Sequence, residues 1–287
     1  MIKFMFTNPI SELVTPSWLA ENLENPNLKI IDCRFQLGQP TWGYEQYQKN
    51  HIPGAYYLDL DRDLSSPVAR HGGRHPLPDP DQLAEKLSTI GINSGETWVI
   101  AYDDSRFAFA SRLWWLLRYL GHDKIALLDG GWSGWQRNHY PVSQEIPPSL
   151  PGNFIAKPQS DWIIDIETVK ANQENPLSVL IDSRERDRYR GEREPIDPIA
   201  GHIPDAICLP WQEVTDEQGN CLPPEAQKER WADYANSEEM IVYCGSGVTA
   251  CVNLFSLAIA QRHSAIAGLS PAKLYPGGWS DWCSYLI

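Results

Sequence analysis

Four short motifs occur twice in this chain, in the same order, and nothing else in the sequence limits the fold so strongly. The first half carries IIDCR at 30–34, HIPGA at 51–55, WVIAYDDS at 98–105 and LLDGGWSGW at 127–135. The second half carries LIDSR at 180–184, HIPDA at 202–206, MIVYCGSG at 240–247 and LYPGGWSDW at 274–282. Four ordered matches at similar offsets read as a duplicated domain, with small drifts absorbed by loops. Between the halves lies PVSQEIPPSLPGNFIAKPQ, rich in proline and without apolar period, which reads as a semi-stiff linker. The expected organisation is one domain over 1–140, a linker over 141–159 and a second domain over 160–287.

Within each half, short apolar runs alternate with helical patterns. LKIID, TWVIAY and KIALLD read as buried strands, as do SVLID, MIVYC and AKLYP. Asp79-Pro80-Asp81-Gln82 supplies a helix N-cap, a proline at the first helical position and a Gln three residues after the cap. VTACVNLFSLAIA, 248–260, is apolar almost all round and predicts a buried helix. Strands alternating with helices imply an α/β fold: two domains, each a parallel sheet with helices on both faces. Ligands of such sheets sit at the carboxyl ends of the strands.

One of those strand ends carries a cysteine. After Ile241-Val242-Tyr243 comes Cys244, then Gly245, Ser246 and Gly247, then Val248 and Thr249 leading into the helix. Two glycines let the loop curl and turn several backbone N–H groups inward, which makes an anion nest at a helix N-terminus. A cysteine sulfur at its centre is favoured as an anion and becomes a nucleophile. Cys33, Cys208 and Cys251 read instead as packed thiols; Cys251, two helical turns on, also has the spacing of a resolving thiol. The six cysteines form no CxxC pair and no zinc-type set, so no metal is implied.

The net charge of −13 opposes nucleic acid and anionic membrane surfaces as partners. MIKFMFTNPI lacks the length and continuity of a signal peptide, and no apolar run is long enough to span a bilayer. The default location is therefore cytoplasmic and reducing.

These motifs resemble the tandem-domain rhodanese family along nearly the whole chain. CGSGVT, Cys244–Thr249, resembles the loop of its 3-mercaptopyruvate sulfurtransferase branch; RYRGE at 188–192 and the HIP and GGW segments are also typical. The resemblance implies two rhodanese-like domains, a five-stranded parallel sheet in each, and catalysis in the C-terminal domain alone. It implies sulfur transfer from a small anionic donor, favoured 3-mercaptopyruvate with thiosulfate as the alternative, through a Cys244 persulfide. The acceptor would be cyanide, a thiol or a thioredoxin-like protein, and no cofactor is required. The repeat supports the asymmetry, because Asp103 lies opposite Cys244 and cannot carry sulfane sulfur. The first domain is expected to be silent and to complete the site.

The resemblance also assigns partners to Cys244. Arg188 matches the substrate-binding arginine. A second arginine is usual shortly afterwards, but the chain has Glu194-Pro195-Ile196 there, which leaves Arg193 as a substitute. Gly245, Gly247, Val248 and Thr249 line the loop. A Ser–His–Asp set is implied, with Ser246, His75 and Asp61 as its members and His71 as a rival for His75. Arg74 offers a further anion contact or a surface charge. His51 and His202 read as structural, and Trp132 and Trp279 as core.

Other enzyme classes fit less well. A cysteine phosphatase needs an arginine six residues after its cysteine, and that position is Ala250. An arsenate reductase fails similarly, and a Cys–His hydrolase has no supporting motif. A persulfide carrier or regulatory module that binds without turnover is the remaining alternative.

Overall fold

A computed structural model describes residues 11–173, 175–262 and 272–287. The N-terminal MIKFMFTNPI lies outside the described residues. Two compact units form. The first comprises the described residues up to Ser65, with Pro78–Pro158 and Glu217–Cys221. The second comprises Ser66–Leu77, Gln159–Asp216 and Leu222–Ile287. The units are thus not consecutive blocks of sequence: residues 66–77, from the first half of the chain, belong to the second unit. No helix among the described residues is long and apolar enough to cross a membrane.

Five strands build the first sheet: β1 (Leu13–Val14), β2 (Leu28–Asp32), β3 (Ala55–Tyr57), β4 (Trp98–Tyr102) and β5 (Ile125–Leu128). They pair in parallel in the order β1-β5-β4-β2-β3. The second sheet contains β6 (Ser178–Asp182), β7 (Ile207–Cys208), β8 (Glu239–Tyr243) and β9 (Ala272–Leu274), in the order β7-β6-β8-β9. It is also all-parallel. The fifth strand implied by the resemblance is reduced there to one bridge, Ile163 to Leu274, where β1 meets β5 in the first unit. Apart from the short edges β1, β3 and β7, each strand answers an apolar run in the sequence, since strands buried on both faces tolerate few polar residues.

Helices follow the caps. Asp79 accepts hydrogen bonds from the N–H groups of Asp81 and Gln82, and helix Pro80–Thr89 starts there. Helix Ala250–Arg262 is buried over most of its surface. It starts two residues later than the apolar run implies, leaving Val248 and Thr249 in the loop. The proline-rich segment is laid along the first unit: the Leu150 N–H donates to the Thr89 carbonyl, and the Tyr56 hydroxyl to that of Pro148.

The repeated motifs meet in one buried module per unit. In the first, Arg34 donates from Nη2 to Asp32 Oδ2 at 2.6 Å and to the Asn50 carbonyl at 2.6 Å, just before the HIP motif. Its guanidinium lies 4.4 Å from the Trp132 ring centroid, which belongs to GGW. The Tyr102 hydroxyl donates to Asp32 Oδ2 at 2.7 Å. In the second, Arg184 repeats each contact, with Asp182 at 2.6 Å, the Gly201 carbonyl at 2.7 Å and Trp279 at 5.0 Å. His51 and His202 sit beside these modules. Each turns Nδ1 to a helix carbonyl, of Tyr47 and Tyr189 respectively, and stacks on the same tyrosine.

Arg34 and Asp32 are both buried, so removing one partner strands the other charge. Arg34→Met should lower the unfolding free energy by about 3–5 kcal/mol in denaturant titration. A loss under about 1 kcal/mol would show that the pair is not what holds these motifs together.

Candidate active site

β8 ends at Tyr243, and Cys244 opens the loop that follows. Cys244, Gly245, Ser246, Gly247 and Val248 are buried, and Thr249 is half-buried. The GGW segment supports this loop from beneath. The Trp279 N–H donates to the Cys244 carbonyl at 2.8 Å, and the Ser280 N–H to the Gly245 carbonyl at 2.8 Å. Gly278 has φ +59°, and a Cβ there would collide with the Cys244 carbonyl oxygen. Only glycine permits that approach. Gly247 has φ +72° and lies against the Pro276 carbonyl, where a side chain would again collide.

The first unit shows what such a loop does to an anion. Asp103 takes the cysteine's place, and its carbonyl accepts from the Trp132 N–H at 2.7 Å. Its carboxylate turns into the loop. Oδ1 accepts from the N–H groups of Ser105 and Phe107, and Oδ2 from those of Phe109 and Ala110, at 2.8–3.1 Å. Burial pushes the Asp103 carboxyl up, while these N–H groups oppose the shift. Helix Ala110–Tyr119 begins seven residues after Asp103, whereas helix Ala250–Arg262 begins six after Cys244. In the second unit the N–H groups of Ser246, Val248, Thr249 and Ala250 have no acceptor among the described residues. The loop thus closes on a carboxylate in one unit and is opened by a cysteine in the other.

Ser246 Oγ is 2.7 Å from His75 Nδ1, and both side chains are buried. His71 is placed differently, 2.7 Å from Ser284 and stacked on Tyr285. The two histidines, equivalent by sequence, are separated by which serine each meets. Asp61 belongs to the first unit. Its N–H donates to Asp59 Oδ1, and burial together with the Asp59 charge pushes its carboxyl up.

Two guanidinium groups stand over Gly245. A Cβ built there would lie 2.8 Å from Arg74 Nη2 and 3.9 Å from Arg188 Nη1. Arg188 is buried, and donates from Nη2 to Glu194 Oε1 at 2.7 Å and to Asp197 Oδ2 at 3.1 Å. Arg74 Nη1 pairs with Asp197 Oδ1. Burial and then the Arg188 charge lower the Arg74 pKa, and Cys244 pulls it the other way. A guanidinium so perturbed is still a cation near neutrality. Arg193 is not part of this group. It is half-exposed and tied to Asp187, Nε to Oδ2 at 2.6 Å.

Glu194 and Asp197 escaped the sequence reading. The segment RERDRYRGEREPID alternates acids and bases so densely that spacing does not reveal which pairs are buried. Cys251 donates its thiol to the Gly247 carbonyl at 3.4 Å, the packing contact of a structural cysteine.

Comparison with known proteins agrees with this architecture. The family described as "Rhodanese-like domain" matches residues 15–138 and 165–285. A Pseudomonas aeruginosa protein named "Probable 3-mercaptopyruvate sulfurtransferase" is 44% identical over 278 residues, covering 95% of each chain. A Mycobacterium tuberculosis protein named "Putative thiosulfate sulfurtransferase SseB" is 33% identical, covering 95% of this chain and 94% of its own. The crystal structure of SseA from Escherichia coli, whose description concerns 3-mercaptopyruvate, superposes with a TM-score of 0.78 at 30% identity over 94% of this chain and all of that one. With both of its halves matched and relatives alike along nearly their full length, the chain belongs to the rhodanese family.

Proposed function

We propose that this sulfurtransferase takes sulfane sulfur from 3-mercaptopyruvate onto Cys244 and passes the resulting persulfide sulfur to a thiophilic acceptor. The observation that carries the reading is the setting of Cys244: it opens a buried loop at a strand end, with two guanidinium groups at Gly245 and the Ser246–His75 hydrogen bond two residues on. The second unit is the catalytic one, and Asp103 makes the first silent.

The Cys244 thiolate attacks the donor sulfur. An S–S bond forms, the donor's C–S bond breaks, and its electron pair leaves with the three-carbon fragment as the pyruvate enolate. The Ser246–His75 pair supplies the proton that turns enolate into pyruvate. The persulfide keeps one negative charge, held by the backbone N–H groups. Cyanide or a thiolate then attacks the outer sulfur, the S–S bond breaks, and its electrons return to Cys244 as thiolate. A small thiol or a thioredoxin-like protein suits the acceptor role, and a reducing cytoplasmic location suits six cysteines that are all free.

Thiosulfate is the second reading, favoured by Ile196 in place of the usual second arginine and by the name of the Mycobacterium tuberculosis relative. Here the leaving group is sulfite, which departs with the S–S electron pair and needs no proton.

Steady-state transfer to cyanide tests both. Wild type should show the higher kcat/KM with 3-mercaptopyruvate, and Cys244→Ser should be inactive with either donor. Full activity in Cys244→Ser would overturn the covalent route, and a higher kcat/KM with thiosulfate would reverse the donor order. His75→Gln should lower kcat with 3-mercaptopyruvate about 100-fold or more, the size of a lost proton donor, and leave thiosulfate turnover within about threefold. Equal losses with both donors would remove the proton role from His75.

A further inference from the structure

We propose that Asp281 is a positioning residue for the proton step: it anchors the loop 66–76 so that His75 meets Ser246. This rests on the proton-donor reading of the Ser246–His75 pair and adds the residue that keeps the pair together.

Residues 66–76 form a loop closed at its neck, where the Ser66 N–H donates to the Pro76 carbonyl at 3.1 Å. A closed neck fixes where the loop starts and ends but leaves its interior free to turn. Three contacts with the segment that carries the second GGW remove that freedom. The Gly72 N–H donates to Asp281 Oδ1 at 2.6 Å. Gly73, with φ +80°, lies so close to the Gly277 carbonyl that a Cβ would collide with it. His71 Nδ1 is 2.7 Å from Ser284 Oγ, and the Ser284 hydroxyl donates to the Asp281 carbonyl at 2.6 Å. His75 lies between this anchor and the neck, 2.7 Å from Ser246 Oγ. The Gly72–Asp281 bond is the charge-assisted member of the set, and Asp281 is buried, so it is the contact that fixes the loop most firmly.

Asp281 is itself held. Its Oδ2 accepts from the Tyr275 hydroxyl at 2.6 Å, and its N–H donates to the Gly277 carbonyl at 3.2 Å. Burial, and then the hydrogen bond to Asp281, keep the Tyr275 hydroxyl well above its usual range, so it remains a donor. The same segment supports the cysteine loop, through the Trp279 and Ser280 N–H groups on the Cys244 and Gly245 carbonyls. The Cys244 loop and the His75 loop therefore share one support, and Asp281 is the link to the second of them.

The unit without the cysteine lacks that link. LLDGGWSGW set against LYPGGWSDW puts Gly134 opposite Asp281 and Leu128 opposite Tyr275. Both units keep the GGW tryptophan over the buried arginine, so that packing requires neither the acid nor the tyrosine. An acid that the shared frame does not need, present only beside the loop that bears His75, points to a role in the site.

Kinetics of the intact protein separate positioning from a merely structural role. Asp281→Ala should lower kcat with 3-mercaptopyruvate about 100-fold, the size of a misplaced reacting group, with KM within about threefold. Thiosulfate turnover and the rate of Cys244 alkylation by iodoacetamide should stay within about threefold, because neither needs the proton. Asp281→Asn keeps an acceptor for the Gly72 N–H and can meet the Tyr275 oxygen with its amide, so it should restore most of kcat. A residue that acts through His75 has nothing left to lose once His75 is gone, so His75→Gln/Asp281→Ala should be as slow as His75→Gln within about twofold. If Asp281→Ala does not fold, Tyr275→Phe, which releases one carboxylate oxygen, should still lower kcat with 3-mercaptopyruvate alone, about fivefold. Unchanged kcat in these variants, additive losses in the double variant, or parallel losses with both donors and in alkylation would overturn the proposal. A donor-selective loss in His75→Gln without one in Asp281→Ala would remove Asp281 alone, whereas no selective loss in His75→Gln would remove the proton reading beneath it.

Discussion

A buried Asp–Arg pair at the end of one strand organises each half of this protein. Asp182 and Arg184 are almost wholly buried, and a guanidinium in that position has five donors to satisfy. It does so by gathering distant pieces of chain: the Asp182 carboxylate, the Gly201 carbonyl before HIP, and the Trp279 ring of GGW. Holding Trp279 holds the segment that supports the Cys244 carbonyl. The position of Cys244 is therefore set by an ion pair that does not touch it. In the first unit the same geometry recurs around Arg34, with the same consequence for Asp103.

The two halves differ in how that pair ends. Arg34 meets one carboxylate, Asp32, whereas Arg184 also reaches Glu194, which passes the charge pattern on to Arg188 and Asp197. A motif that only packs in one domain is, in the other, the inner end of a chain of alternating charges leading to the loop. Duplication supplied the frame, and a few acidic residues on one connecting segment extended its buried charges toward the Cys244 loop.

Much of this was legible in the sequence. The repeat stated the duplication, apolar runs stated the long strands, and Gly-Ser-Gly after a strand marked the buried loop that Cys244 opens. What resisted was contact between segments far apart in sequence. His71 and His75 are four residues apart and chemically alike, and only the fold says that one meets Ser284 and the other Ser246. Arg193 and Arg74 show the same limit: proximity to Arg188 in sequence favoured the first, while Arg193 is drawn to Asp187 and Asp197 meets Arg74. The fifth strand that the second sheet lacks among the described residues was hidden for another reason. A single bridge at Ile163 needs no pattern longer than one residue, so no periodicity records it.

Asp103 carries a last implication. Its carboxylate is a permanent occupant, so the loop of the first unit is complete as soon as it folds, and no oxidant or thiol reagent can change it. The loop around Cys244 has no such resident. A cysteine in that place leaves the second loop open to oxidants and thiol reagents that the carboxylate resists.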